Sequence, residues 1–299
     1  MLDVVIIGSG PAGITAAIYA KRANLNVAVV EKEYLGTGQI AESSRVDNYP
    51  GIPGIDGYSL GEKFREHAES LGVEFTEAQV LSLGQKDGIW IIGCDEDITL
   101  ESKAVIYATG CKNRPLGVPG EEKYYGRGLS FCAVCDGDFY KGKRVAVIGG
   151  GDTALDDAMY LSDICEKVYL VHRREFFRGS ASTLEKLKQK ENVEIIVNAR
   201  VEEITGDKKI DGIILDNKTK LNISGLFAAV GMIPQTELLK EFGVLDESNY
   251  VKASEDTKTT VNGLFAAGDV RTKQLRQVVT AAADGANAIY SVMEYLRNI

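Results

Sequence analysis

Two segments of this chain repeat one pattern. Leu2–Ile7 is a continuous apolar run rich in β-branched residues, the composition of a strand buried on both faces. It runs into Gly8-Ser9-Gly10-Pro11-Ala12-Gly13; Ala12–Ala23 then has a helical pattern, Asn26–Val30 is a second apolar strand, and Glu31 follows it. Further on, Arg144–Ile148 is again a buried strand, Gly149-Gly150-Gly151-Asp152-Thr153-Ala154 opens another helix, and Lys167–Val171 is a strand ending at His172. Gly10 and Glu31 stand 21 residues apart, and so do Gly151 and His172. Strand, glycine turn, helix and strand in this order form a dinucleotide-binding unit. The glycines let the backbone approach a pyrophosphate at the helix N-terminus, and an acid about twenty residues on accepts ribose hydroxyls. A chain of 299 residues has room for one large or two medium domains, so two such units fill most of it.

The two repeats differ in charge where they meet the ribose. Glu31 suits the free hydroxyls of an adenosine ribose. His172 stands at the same place in the second repeat and is followed by Arg173, Arg174 and, after Glu175-Phe176-Phe177, by Arg178. Three guanidinium groups suit a 2′-phosphate and give an unmodified ribose nothing. A solvated charge run is the plainer alternative, but the net charge of −9 makes a local basic cluster at this position notable. The adjacent Asp156 and Asp157 are expected to be exposed helix residues.

Between the repeats lies Ser130–Tyr140, SFCAVCDGDFY, with Cys132 and Cys135 two residues apart and Asp136 directly after the second thiol. Thiols at this spacing can close a small disulfide ring, and if they open a helix its amides favour the reactive thiolate. The alternative is a structural pair or half of a zinc site, and zinc needs four ligands. Cys94, Cys111 and Cys165 stand singly and the two histidines, His67 and His172, are far apart, so no metal is expected. The single cysteines read as small core residues and His67 as a surface or boundary residue.

Composition excludes other classes. With 44% hydrophobic and 26% charged residues the chain reads as a soluble globular protein, and its acidic balance argues against a nucleic-acid or anionic-membrane partner. The apolar start MLDVVIIG has no basic lead and is too short for a signal or a spanning segment, so a cytoplasmic location is expected. The polar, glycine- and proline-broken stretch from Leu35 to Gly57 is too long for an idle connection and is expected to wrap a ligand. Ser59–Leu71 then reads as a helix, and Val73–Leu83, Ile89–Ile92 and Ile98–Leu100 as strands of a small meander. Ala104–Tyr107 is a strand delivering Ala108-Thr109-Gly110, and Lys112–Gly120 has the punctuation of a linker. Past the second repeat, Ala181–Lys190 reads as a helix and Val193–Val201, Ile210–Leu215 and Leu226–Val230 as strands, with a second boundary near Thr236. Leu264–Ala267 delivers Gly268-Asp269, and Gln274–Leu296 is a long helix whose first turn carries Leu275-Arg276-Gln277. Such a turn can aim amides and a cation at an electron-rich ring.

Taken together, GSGPAG with Glu31, Gly38-Gln39, NYPG at Asn48–Gly51, ATG at Ala108–Gly110, CAVCDG, GGGDTA, HRREFFR and AAGDV followed by Arg276-Gln277 resemble the low-molecular-weight thioredoxin reductases of the flavoprotein disulfide reductases. The resemblance spans essentially the whole chain. It implies an α/β fold of two Rossmann-like, three-layer dinucleotide-binding domains, the second inserted into the first. Residues 1–114 and 237–299 would bind FAD, and 115–236 would bind NADPH and carry the dithiol. For FAD it implies Gly8, Ser9, Gly10, Pro11, Ala12, Gly13, Glu31, Lys32, Gly38, Gln39, Asn48, Thr109, Gly110, Gly268, Asp269, Arg276, Gln277 and Val278. For NADPH it implies Gly149, Gly151, Asp152, Thr153, Ala154, His172, Arg173, Arg174 and Arg178. Cys135 would be the flavin-facing thiol, Cys132 the thiol that attacks an acceptor disulfide, and Asp136 the acid/base group, with a helix cap as its plainer reading. Implied partners are thioredoxin or a thioredoxin-like protein and a second copy of the chain. Three rivals stay open: a ferredoxin-dependent flavin disulfide reductase, which would lack the second fingerprint and its basic cluster; a ferredoxin–NADP reductase, which would lack the cysteine pair; and a non-catalytic flavin-binding redox sensor.

Overall fold

The computed structural model describes residues 1–33, 37–43 and 45–299; positions 34–36 and 44 of the expected ligand-wrapping stretch lie outside them. The chain divides into two compact units, Met1–Lys112 with Ile233–Ile299, and Asn113–Met232.

In the first unit, β1 (Leu2–Ile7), α1 (Pro11–Arg22) and β2 (Val27–Glu31) form the first repeat; α2 (Gly57–Ser70), β3 (Glu74–Glu77), β4 (Val80–Lys86), β5 (Ile89–Cys94) and β6 (Thr99–Tyr107) follow. The sheet order is β3-β2-β1-β6-β5-β4. β1 runs parallel to β2 and to β6, with Val5 opposite both Ala28 and Val105. Both faces of β1 are covered, which is why its sequence is apolar without alternation. Val4 and Ile6 pack under α1, and Val5 and Ile7 join Trp90, Ile92, Leu239 and Val251 on the other face.

The run Val73–Leu83, expected as one strand, is two. Ala78 N donates to Glu31 O and Gln79 N to Asp95 Oδ1, so the chain leaves the parallel edge beside β2 and starts an antiparallel ribbon with β5.

The two linking segments, β7 (Cys111–Asn113) and β16 (Met232–Pro234), pair with each other. Between them the second unit contains β8 (Leu129–Ser130), α3 (Ala133–Asp136), β9 (Arg144–Gly149), α4 (Asp152–Ile164), β10 (Lys167–Val171), α5 (Ala181–Lys188), β11 (Val193–Ile196), β12 (Val201–Thr205), β13 (Gly212–Leu215), β14 (Lys220–Asn222) and β15 (Gly225–Ala229). Its five-stranded parallel sheet has the order β11-β10-β9-β15-β8. α4 packs on one face of it, and the antiparallel sheet β12-β13-β14 contributes Ile204, Ile213 and Leu221 to the core on the other. Val193–Val201, expected as one strand, is also split: Asn198 has a φ of 53°, and the chain turns from the parallel sheet into the small one.

The first unit closes with β17 (Leu264–Ala266), parallel to the end of β6, and α6 (Val278–Leu296). α6 crosses α1 closely: a Cβ on Gly285 would lie 2.2 Å from Ala12 O. Each unit therefore has a sheet with a parallel core between two covering layers, and the α/β class expected from the repeats holds.

Candidate active site

In the first unit the glycine turn is set by steric necessity. Gly8 has a φ of 102°, and a Cβ there would stand 2.6 Å from Ala108 O. A Cβ on Gly10 would meet nothing nearer than Thr37 O at 3.8 Å, so space lies over the start of α1. Ser9 donates to Glu31 Oε2 through both its amide and its hydroxyl, each at 2.9 Å, and the Lys32 amide donates to Oε1 at 2.8 Å. The Glu33 amide also donates to Oε1, at 3.3 Å, so the carboxylate is held from both sides by the turn it faces and by its own following residues.

Two other expected glycines of this unit meet the same turn. A Cβ on Gly38 would lie 3.3 Å from Gly10 Cα, and one on Gly268 would lie 2.9 Å from Ala12 Cβ. Asn48 Nδ2 donates to Gln277 Oε1 at 2.8 Å, and Gln277 caps α6 in a reciprocal pair with Thr280. The helix starts at Val278, later than Gln274, because the cap fixes its first turn. Arg276 lies over the Tyr250 ring at 4.2 Å and donates through Nε to Asp269 O at 3.4 Å. Thr109 instead gives its hydroxyl to Gln235 O at 2.7 Å, tying the ATG turn to the returning chain.

Among the described residues, Thr37 Oγ1 and Asp269 Oδ1 are buried polar atoms of this region without a hydrogen-bond partner. Burial pushes the Asp269 carboxyl up to about 6. A buried acceptor without a donor is costly, and a ligand hydroxyl supplies what it lacks. The donor set and the open space above Gly10 fit FAD.

Residues missed by sequence reasoning hold the Gly268-Asp269 turn in place. Asp284 accepts from Gly268 N at 2.9 Å, from Arg271 Nε and Nη2 at 2.8 and 2.6 Å, and from Lys273 Nζ at 2.9 Å. Burial alone would raise this carboxyl, but the bonds from Arg271 and Lys273 outweigh it and leave it below the ordinary carboxylate value. Asp284→Asn leaves two buried cations without a counter-charge and should destabilise the fold by about 3–5 kcal/mol. Urea titration of the FAD-loaded protein measures this. Because the folded pKa is depressed, the stabilisation is present above an unfolded value of about 4 and is lost as pH falls through the lower folded value. An isolated polar residue inside a helical pattern gave no sign of this role.

In the second unit, a Cβ on Gly149 would stand 2.3 Å from Ala229 O, and one on Gly150 would lie 2.2 Å from the His172 ring, whereas Gly151 faces open space. The amides of Arg178 and Gly179 donate to Gly150 O at 2.7 and 3.2 Å, and Ser180 N donates to Asp152 Oδ1 at 2.7 Å. The arginine segment is thus laced to the glycine turn, with Arg173, Arg174 and Arg178 all exposed. Thr153 is exposed at the start of α4, and Ala154 is buried beneath. His172 differs from its expected place: it is buried under Gly150, stacks on Phe177 and meets Phe176 O through Nε2 at 3.2 Å. Burial holds its pKa below the ordinary histidine value, and its ring fills the space under Gly150. Asp157 also departs from expectation. It is half-buried, and burial, with Asp156 beside it, pushes its carboxyl up to about 7.

Cys132 and Cys135 are joined as a disulfide with Cα atoms 5.3 Å apart. Cys132 caps the single turn α3, its sulfur accepting from Cys135 N at 3.2 Å. The turn seats on α4 because residue 137 is glycine: a Cβ there would lie 2.7 Å from Tyr160 Cε1. Burial raises the Asp136 carboxyl above its ordinary value, opposed by the Ser130 hydroxyl, which donates to Oδ2 at 2.6 Å. Cys94, Cys111 and Cys165 are buried free thiols, and burial raises the last two to about 11, which keeps them inert near neutrality. Among the described residues no three acidic, cysteine or histidine side chains are grouped to hold a metal, and no helix is long and apolar enough to cross a membrane.

Comparison with known proteins places these features in a family. The profile of the pyridine nucleotide-disulphide oxidoreductases matches residues 2–285. The thioredoxin reductase of Bacillus subtilis is 38% identical over 305 residues, covering 99% of this chain and 95% of that one. The thioredoxin reductase of Helicobacter pylori is 40% identical over 310 residues and both chains are covered in full. The crystal structure of thioredoxin reductase from Streptococcus pyogenes superposes with a TM-score of 0.93 at 39% identity, covering 100% of this chain and 99% of that one. FAD and NADPH are the cofactors of this family. With a redox disulfide, two glycine turns and relatives matched from end to end, the chain belongs to the pyridine nucleotide-disulphide oxidoreductases, among the low-molecular-weight thioredoxin reductases.

Proposed function

We propose that this protein is an NADPH-dependent thioredoxin-disulfide reductase that passes electrons from NADPH through FAD and the Cys132–Cys135 disulfide to thioredoxin or a thioredoxin-like protein. The observation that carries it is the pairing, within one unit, of a closed dithiol on α3 with a glycine turn laced to an exposed arginine cluster. We assign residues 1–114 and 237–299 to FAD and 115–236 to NADPH and the dithiol, and read the enzyme as a cytoplasmic homodimer.

The FAD residues are Gly8–Gly13, Glu31, Lys32, Gly38, Gln39, Asn48, Thr109, Gly110, Gly268, Asp269 and Arg276–Val278; Glu31 takes the ribose and Asp269 a hydroxyl at its bare oxygen. Bound FAD supplies the two-electron carrier between nicotinamide and disulfide. Gly149, Gly151, Asp152, Thr153 and Ala154 cradle the NADPH pyrophosphate. Arg173, Arg174 and Arg178 grip its 2′-phosphate, with His172 beneath them.

In the reduced protein the Cys132 thiolate attacks one sulfur of the acceptor disulfide, and the displaced sulfur takes a proton. Cys135 then attacks Cys132, restoring the internal disulfide and releasing the second acceptor thiol. Asp136, raised by burial and adjacent to Cys135, supplies the proton and recovers it from a thiol of the pair.

Nicotinamide and dithiol must both reach one flavin, and both belong to the segment between the two linkers. That segment therefore turns on them between half-reactions. A chemical crosslink joining the two units should abolish thioredoxin turnover while sparing one half-reaction; full turnover in the crosslinked protein excludes the rotation. The overall reading is tested by anaerobic titration of the FAD-loaded protein with NADPH and with NADH, following flavin bleaching. NADPH should reduce it far more readily, and failure of both excludes a nicotinamide donor.

A further inference from the structure

Ser130 opens the dithiol stretch and has no role in the reaction described above. It ends β8, is 6% exposed, and stands two residues before Cys132. Its Oγ donates to Asp136 Oδ2 at 2.6 Å, accepts from Cys132 N at 3.1 Å and lies 3.4 Å from Cys132 O. A hydroxyl has one proton and two lone pairs, so it cannot donate to the carboxylate and to the carbonyl at once. With Asp136 ionised, the proton points to Oδ2. With Asp136 protonated, the carboxyl donates to Oγ and the hydroxyl proton turns to Cys132 O. In both settings the lone pair facing Cys132 N stays engaged.

We propose that Ser130 is a positioning residue that couples the protonation of Asp136 to the backbone of Cys132, turning its hydroxyl between carboxylate and carbonyl as the proton leaves and returns. The inference rests on the acid/base reading of Asp136. The proton given to a leaving sulfur comes from the carboxyl. Ser130 neither gains nor loses one, and its hydroxyl replaces the lost carboxyl proton as the bond between Oγ and Oδ2. The arrangement holds the nucleophile's main chain steady while the acid beside it changes charge.

Few other ionisable groups face Asp136. Tyr140 follows on the next short turn and feels its charge, its hydroxyl raised by burial and by Asp136. α4, packed beneath α3, brings Asp157 and Tyr160, and Tyr160 feels Asp138 rather than Asp136. β15, beside β8, carries no ionisable side chain. The hydroxyl is thus the polar group bonded to this carboxylate, and it favours the ionised form.

The test is the pH dependence of the half-reaction between the reduced FAD-loaded enzyme and oxidised thioredoxin, followed by stopped flow. Removing the donor raises the Asp136 pKa, so in Ser130→Ala the alkaline limb should move up by about one to two units. Ser130→Thr, which keeps a hydroxyl, should return it. Asp136→Asn should abolish that limb, and adding Ser130→Ala to it should then move nothing further. A limb unmoved in Ser130→Ala but lost in Asp136→Asn overturns the inference and leaves the acid/base reading standing. A limb untouched by Asp136→Asn overturns that reading itself. Ser130→Gly carries the same test should the alanine variant fail to fold.

Discussion

Cys135→Ser should abolish thioredoxin reduction altogether while NADPH still bleaches the bound flavin. The reason is positional. The other three cysteines are buried free thiols, so disulfide exchange runs through Cys132 and Cys135, and a serine hydroxyl can neither form the disulfide nor serve as an attacking or leaving thiolate. Cys132 would then be left as a lone thiol on the α3 turn. The glycine turn and arginine segment assigned to NADPH are held by bonds at Gly150 and Asp152 that do not involve the cysteines. Rapid-scan absorbance with NADPH, beside a coupled thioredoxin assay, separates the two. Retained thioredoxin turnover would show that the disulfide seen here is not on the electron path.

The second large effect concerns cofactor choice. Each charge-assisted bond to a phosphate contributes about 1.5–3 kcal/mol, so replacing Arg173 and Arg174 together with glutamine should weaken NADPH binding by roughly two to four orders of magnitude and leave NADH nearly unchanged. Both side chains are exposed on a segment pinned through main-chain atoms, so their removal should not loosen the fold. Equal loss with both cofactors would show that the cluster does not read a 2′-phosphate. A third outcome follows from His172: His172→Ala opens a void under Gly150, where its ring now packs, and should weaken both nicotinamides alike. Isothermal titration with 2′,5′-ADP and with ADP distinguishes this from loss of an arginine.

Much of the site was legible because its chemistry is local. The Gly8–Gly13 turn, Glu31 and the dithiol are each written in a few consecutive residues, and the turn geometry that binds a pyrophosphate needs no distant partner. Asp269 was legible as a strand end, but its bare buried oxygen was not, because burial depends on α6 and on the chain around Arg276. His172 shows the limit from the other side. Its position after β10 is fixed by the repeat, yet whether a ring at that position turns out to a ligand or in under Gly150 depends on the segment that returns through Arg178 and Gly179. Asp157 likewise reads as exposed from its polarity, and only the packing of α4 into its unit half-buries it.

The sequence by itself determined the two α/β units, the place of each glycine turn and the cysteine pair that closes, since these follow from periodicity, glycine sterics and spacing along a single stretch of chain. Only the tertiary structure decided where Val73–Leu83 and Val193–Val201 break. It alone showed that Asp284 anchors the Gly268 turn across 16 residues, and that Ser130 joins Asp136 to Cys132. Those outcomes rest on hydrogen bonds between residues from different elements, and a hydrogen bond of about 3 Å exists or not according to packing that no local pattern encodes.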